Sequence, residues 1–312
     1  MDPGSLVEIT IWGLLAGCIY ILLAIGLNLI FGVMKVVNFA HGELLMLSMY
    51  MTFLMHTTLG LNPYLVMPLS VALMAFIGVL IERVGFRPIM GTGKLNEIFL
   101  SLGLIYLLQN TVALIWGTDP KMIHSPFESD LISFGSVKIP LDYIIIIGTT
   151  LMLLVILQIF LKKTTPGRAM RATSQNREAA MLMGINVERM DMISFGLGSA
   201  LAATAGTLWC ISGVNFDPYV GSEPAIKAFA VIIIGGLGSM QGAVFGGLLL
   251  GLAENPLLVL ADMGWTEIAG FLTFLNLPQD ISFLSWKNTV SFLILIIVLI
   301  FKPEGLFGEK GE

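Results

Sequence analysis

His41 and Glu43, in the run NFAHGELL, are the side chains best placed to do chemistry. They open an apolar stretch, and a carboxylate beside hydrocarbon is costly unless it is paired, hydrated or able to reach the interface, so such a group is a functional candidate. A plainer role competes. Lys35 lies eight residues before Glu43, and an acidic residue suits the first turn of a helix, so the pair can cap and brace a turn near the membrane boundary. A proton relay needs a chain of such groups across the membrane, and the sequence offers none. Glu223 and Lys227 have the spacing of a helical ion pair, and Glu254 ends an apolar run from which it can snorkel to the interface. Three histidines (His41, His56, His124) and no cluster of Cys, His and Asp leave little from which to build a metal site or a nucleophile triad. Cys18 and Cys210 both lie inside apolar runs and read as small buried residues. The phosphate loop G-x-x-x-x-G-K-[ST] is missing, since Gly93-Lys94 lacks its upstream glycine.

The elements that must position these residues are membrane helices. Of 312 residues, 56% are hydrophobic and 12% charged, about half the charged fraction of soluble domains. Apolar runs fall at about 8–32, 39–58, 63–81, 96–117, 142–161, 190–211, 226–237, 240–261 and 288–301. That predicts about eight or nine spans, with 226–237 short enough to be a half-helix. The N-terminus has no Lys or Arg before its first apolar run and does not look like a cleaved signal peptide. Loops 82–95 and 162–190 are basic and predict the cytoplasmic side; loops 118–141, 212–225 and 254–287 are acidic and predict the opposite side. Nine crossings then put the N-terminus outside and the C-terminus inside. Without a basic face beyond one loop, nucleic-acid binding is not expected.

Two segments read as glycine-broken: GLNLIFGVMKVVNFAHGE at 26–43 and GGLGSMQGAVFGG at 235–247. Unwound backbone at membrane depth survives only where protein or a water-filled cavity satisfies it, and a pair of interruptions, one in each half, points to a translocation pathway. Candidate pathway residues are Asn28, Asn38, His41, Glu43, Gly235, Gly236, Gly238 and Gly242. The competing role for the glycines is close helix packing.

The stretch 162–190 holds six of the sixteen Lys and Arg. Pro166-Gly167 predicts a break, Arg168 to Met183 a short helix, and Gly184 its C-terminal stop. Glu178-Ala179-Ala180 followed by Gly184 gives E-A-A-x-x-x-G. A short helix across the cytoplasmic face, with small residues and with Arg168, Arg171 and Arg177 at its rim, suits a groove on a soluble partner. An ordinary basic loop contacting lipid head groups is the alternative.

That loop resembles the coupling segment of ABC-importer permeases. The wider pattern is similar to the shorter of the two permease subunits of the branched-chain amino acid uptake family. NFAHGE at 38–43, ERVGFRP at 82–88, GRAMRA…AAMLMGIN at 167–186, KAFAVIIIGGLGSMQGAVFGGLLLGLAE at 227–254 and VSFLILIIVLIFKPEGLFG at 290–308 carry the resemblance in order along most of the chain. Residues 255–287 depart from it, being longer and more aromatic than the family's outer loop. The resemblance implies an all-α polytopic permease, a single transmembrane domain over 1–312, in a prokaryotic inner membrane. Its implied partners are a second permease, two cytoplasmic ATPases that bind the ATP and Mg, an extracytoplasmic binding protein and membrane lipid, with no cofactor in this chain. Arg168, Arg171, Arg177, Glu178, Ala179, Ala180 and Gly184 are the implied coupling residues. The implied cargo is a branched-chain or other small amino acid, or alternatively urea, a short amide or another small polar solute. An ion-coupled transporter acting alone is the reading from another class.

Overall fold

The computed structural model describes residues 3–127, 129–134, 137–262 and 283–308. Helices occupy the apolar runs. They are α1 Pro3–Met34, α2 His41–Leu59, α3 Pro63–Ile81, α4 Lys94–Trp116, α5 Leu141–Lys163, two short helices α6 Thr165–Gln175 and α7 Arg177–Leu182, then α8 Val187–Ile211, α9 Ser222–Gly235, α10 Met240–Asp262 and α11 Phe283–Phe301. Leu131–Phe134 and Val137–Pro140 pair as a small antiparallel hairpin. Among the described residues, five helices are each long and apolar enough to cross a membrane unaided: α1, α3 with its extension to Ile89, α4, α5 and α8. The polytopic all-α expectation holds.

Burial separates centre from perimeter. In α1 and α8 78% of the most apolar window is inside the protein, against 17–22% in α3, α4 and α5, whose apolar faces are left for lipid or a partner. The two central helices cross where Gly26 meets Gly198: a Cβ on either would lie within 2.7 Å of the other's carbonyl oxygen. Only glycine allows that approach.

Both ends of the bundle follow the charge pattern. Arg87 meets Glu188, Arg177 reaches the carbonyl of Val33, and Lys302 the carbonyl of Leu306, all at one basic end. At the other end Lys121 bridges to Phe216, and Asp142 accepts from Tyr64 and Ser125. Of the predicted outer loop 255–287, residues 255–262 close α10 and 283–287 open α11; residues 263–282 lie outside the described residues.

Several expectations need correction. Gly26 and Gly32 do not break a helix, because α1 runs unbroken to Met34. The break comes after it, where Lys35 at φ 59° donates its N–H to the Phe31 carbonyl and ends the helix in a left-handed turn. Pro166-Gly167 opens α6 instead of breaking the chain. Thr164 caps that helix by accepting from the Gly167 N–H, and Pro166 sits in the first turn, where its missing donor costs nothing. The single helix expected over 168–183 is two, because Asn176 is extended and its side chain caps α7 by accepting from the Ala179 N–H.

Candidate functional site

Depth is the first surprise. Met34 ends α1 at the basic end, yet seven residues later His41 stands beside Leu23 and Gly26 of the same helix. Eleven residues of helix separate Leu23 from Met34, roughly 16 Å, or half the hydrocarbon thickness. Residues 35–40 therefore turn back into the bundle, and α2 begins near mid-depth. Asn38 sets that start: it is buried, and its Oδ1 accepts from the Ala40 N–H at 3.0 Å. The expected position of His41 and Glu43 at the membrane boundary is wrong, and so is the brace with Lys35, which is exposed and lies over the Phe31 ring.

A second helix also begins inside. At 14 residues α9 is about 21 Å long, too short to span, as its sequence predicts. Its first residues meet the start of α2: a Cβ on Gly42 would lie 2.1 Å from the Gly221 carbonyl oxygen. Gln109 of α4 joins the two starts, donating to Glu43 Oε1 at 2.9 Å and to Ser222 Oγ at 3.0 Å. Glu43 is 1% exposed, and its Oε2 has no hydrogen-bond partner. Two helix N-termini, each carrying partial positive charge, thus converge near mid-depth on one carboxylate.

At the basic end α9 hands over to α10 through a turn at 236–239. Gly236 (φ 100°) and Gly238 (φ 88°) supply its left-handed residues. Gly235 and Gly242 lie backbone to backbone across the turn; a Cβ on Gly235 would sit 2.2 Å from the Gly242 carbonyl carbon. Asn28 of α1 accepts from the Gly238 N–H at 2.7 Å, so the two segments singled out in the sequence touch. The orphan carbonyls of Ile234 and Gly235 accept from Leu306 and Phe307 at 2.8 and 2.9 Å, which gives the closing KPEGLFG segment its role.

Sequence reasoning missed a charged network beside this core. Lys227 pairs with Glu223 at 2.7 Å as its spacing predicts, but it is 4% exposed and also meets Glu254 at 3.1 Å and Tyr20 Oη at 3.0 Å. Glu254 does not snorkel. It is fully buried and accepts from Tyr20 and Ser291 as well. Embedded carboxylates are thus commoner than the sequence suggests, because groups on other helices compensate them, as Tyr20, Lys227 and Ser291 do for Glu254.

The basic loop folds into a cap on the ends of α1 and α8. Met170 of α6 packs with Val33 and Met190, and Ala180 of α7 is buried. Arg177 is not a rim residue: its guanidinium makes a bidentate pair with Asp191 of α8 at 2.8 and 2.6 Å. Asp191 raises the pKa of that guanidinium further, so the tether stays charged. Gly184 (φ 82°) ends α7 in a Schellman turn, with Gly184 N–H donating to Met181 O at 2.9 Å and Ile185 N–H to Ala180 O at 3.0 Å. Arg168, Arg171, Glu178 and Ala179 are exposed. So are Leu182 and Met183, at 89% and 83%, an apolar tip that the E-A-A-x-x-x-G pattern did not single out.

Residues 9–299 match the family described as branched-chain amino acid transport system / permease component. The chain belongs to that family. The high-affinity branched-chain amino acid transport system permease protein BraD of Pseudomonas aeruginosa is 32% identical over 309 residues, covering 95% of this chain and 94% of the relative. LivH of Escherichia coli, a permease protein of the same description, is 32% identical over 311 residues with the same coverage. A probable branched-chain amino acid transport permease protein LivH of Methanocaldococcus jannaschii is 28% identical over 298 residues, covering 92% of this chain and 88% of its own length. No solved structure matches. The inward-starting helices, the glycine turn and the basic cap described above are thus those of a permease component of this family.

Proposed function

We propose that this chain forms one half of the translocation pathway of an ATP-driven importer of branched-chain or other small amino acids. Two cytoplasmic ATPases supply the drive, binding ATP and Mg and docking on 162–190. A second permease completes the pathway and an extracytoplasmic binding protein delivers the cargo. The basic end then faces the cytoplasm of a prokaryotic cell across the inner membrane, with the N-terminus outside and the C-terminus inside, as Lys/Arg placement favours.

The observation that carries the coupling role is the apolar tip Leu182-Met183 on a helix with rigid backing. A large exposed apolar pair on a short capped helix suits a groove on a partner. Motion there passes through Ala180, Met170 and the Arg177–Asp191 pair to α1 and α8. Helix α1 in turn holds the 236–239 turn through Asn28 and flanks His41. A partner that closes on ATP need only favour one position of this cap to bias the pathway.

The pathway reading rests on the mid-depth meeting of α2 and α9, where Glu43, Gln109 and Ser222 offer polar groups inside a hydrocarbon environment. In the assembled complex, Leu182→Asp with Met183→Asp is expected to abolish co-purification of the ATPases or transport-coupled ATP hydrolysis, with the permease still folded. Wild-type uptake by that double variant would refute the docking role.

A further inference from the structure

A groove of about 790 Å³ opens between α1, α5 and the 238–241 segment, and it reaches the basic end beside α6. Its walls are mostly apolar, with Leu29 from α1 and Leu151 and Leu154 from α5 among them. At its mouth stand Lys162 and Arg171, both exposed, and neither has a carboxylate partner among the described residues. The α1 wall runs from Ile25 to Val33 and the α5 wall from Leu151 to Lys162. At about 1.5 Å per residue the groove is roughly 15 Å long, half the hydrocarbon core and so the depth of one leaflet.

The lining selects the occupant. An acyl chain suits the apolar walls, which water alone leaves unsatisfied. The two cations at the membrane-surface end call for an anion tethered to that chain.

We propose that this groove binds one anionic phospholipid, its acyl portion between α1 and α5 and its phosphate between Lys162 and Arg171. The occupant would touch both the cap, through Arg171, and the turn at Gly238 that Asn28 holds. Binding therefore stabilises the cap and turn in the arrangement seen here. The site stands whether or not the transport reading is right, since it needs only the membrane.

The test is native mass spectrometry of the full chain, stripped of lipid and titrated with phosphatidylglycerol, phosphatidylcholine or inorganic phosphate. One phosphatidylglycerol per chain is expected, held at least tenfold more tightly than phosphatidylcholine, with no retention of inorganic phosphate. Lys162→Gln with Arg171→Gln should weaken phosphatidylglycerol about 25-fold, each charge contributing about fivefold. Both side chains are exposed, so the variant should melt with the wild type. Leu154→Trp fills the groove and should remove the bound lipid with the charges intact. Equal retention of the two lipids, or retention unchanged by both variants, overturns the proposal. So does efficient cross-linking of Leu154→Cys to the second permease chain in the assembled complex, which would give the groove to that partner.

Discussion

Replacing Arg177 by Met should release the cap without unfolding the bundle. The lost interactions are two charge-assisted hydrogen bonds to Asp191, at 2.8 and 2.6 Å, and a longer contact with the Val33 carbonyl at 3.5 Å. The Asp191 side chain is 2% exposed, so its carboxylate is left buried beside a thioether. Breaking a fully buried pair from one side costs about 3–5 kcal/mol. Arg177 is 31% exposed, so water reaches the vacated position, and about 2–3 kcal/mol is the better figure. Helix α7 has only six residues and cannot hold itself in water, so the loss falls on local opening of 177–184. Hydrogen exchange of those amides should speed up about 30- to 150-fold, since each 1.4 kcal/mol is tenfold, while the cores of α1 and α8 keep their protection. Arg177→Lys retains the charge but not the fork and should lie between the two. Arg177→Met combined with Asp191→Leu removes both partners and should recover most of the loss. Exchange of Arg177→Met within threefold of wild type, or a double variant no better than the single, would refute the tether.

Three further outcomes follow from the site. Gly42→Ala places a methyl group 2.1 Å from the Gly221 carbonyl oxygen and should cost several kcal/mol in a thermal melt, whereas Gly103→Ala, with nothing within 4 Å, should be stabilising by up to about 1 kcal/mol; equal effects would show that α2 and α9 do not meet. Glu43→Gln keeps an oxygen for Gln109 to bond and should shift stability by no more than about 1 kcal/mol while lowering uptake several-fold in the reconstituted complex; unchanged uptake removes Glu43 from the pathway. Asn28→Leu takes the acceptor from the partly exposed Gly238 N–H and should cost about 1 kcal/mol, read as faster exchange of the 236–239 amides with little change at α2; unaltered exchange at 236–239 contradicts the link.

Much of this was legible along the chain. The apolar runs match the helices to within a few residues because a membrane helix must satisfy its backbone internally, which makes length and hydropathy sufficient signals. The half-length of α9 showed in its run, and Gly184 announced its own turn because few other residues tolerate φ 82°. The family was equally plain, since motifs spread over most of the chain carried it.

Depth and partnership were not legible, for a shared reason. Both depend on residues far apart in sequence, and hydropathy is a local average. NFAHGE reads as the entrance to an apolar run, so His41 and Glu43 look like boundary residues; the returning segment 35–40 carries them to the level of Leu23 and Gly26. Glu254 reads as an interface residue, yet Tyr20, Lys227 and Ser291 hold it in the core. Arg177 reads as one more positive-inside charge, and its geometry with Asp191 makes it a brace. Local composition, then, settled which segments lie in the membrane, how long they are and which family they belong to, because those follow from burying apolar surface run by run. Packing settled which polar groups face one another inside, because a buried charge is tolerable only where a distant element supplies its partner.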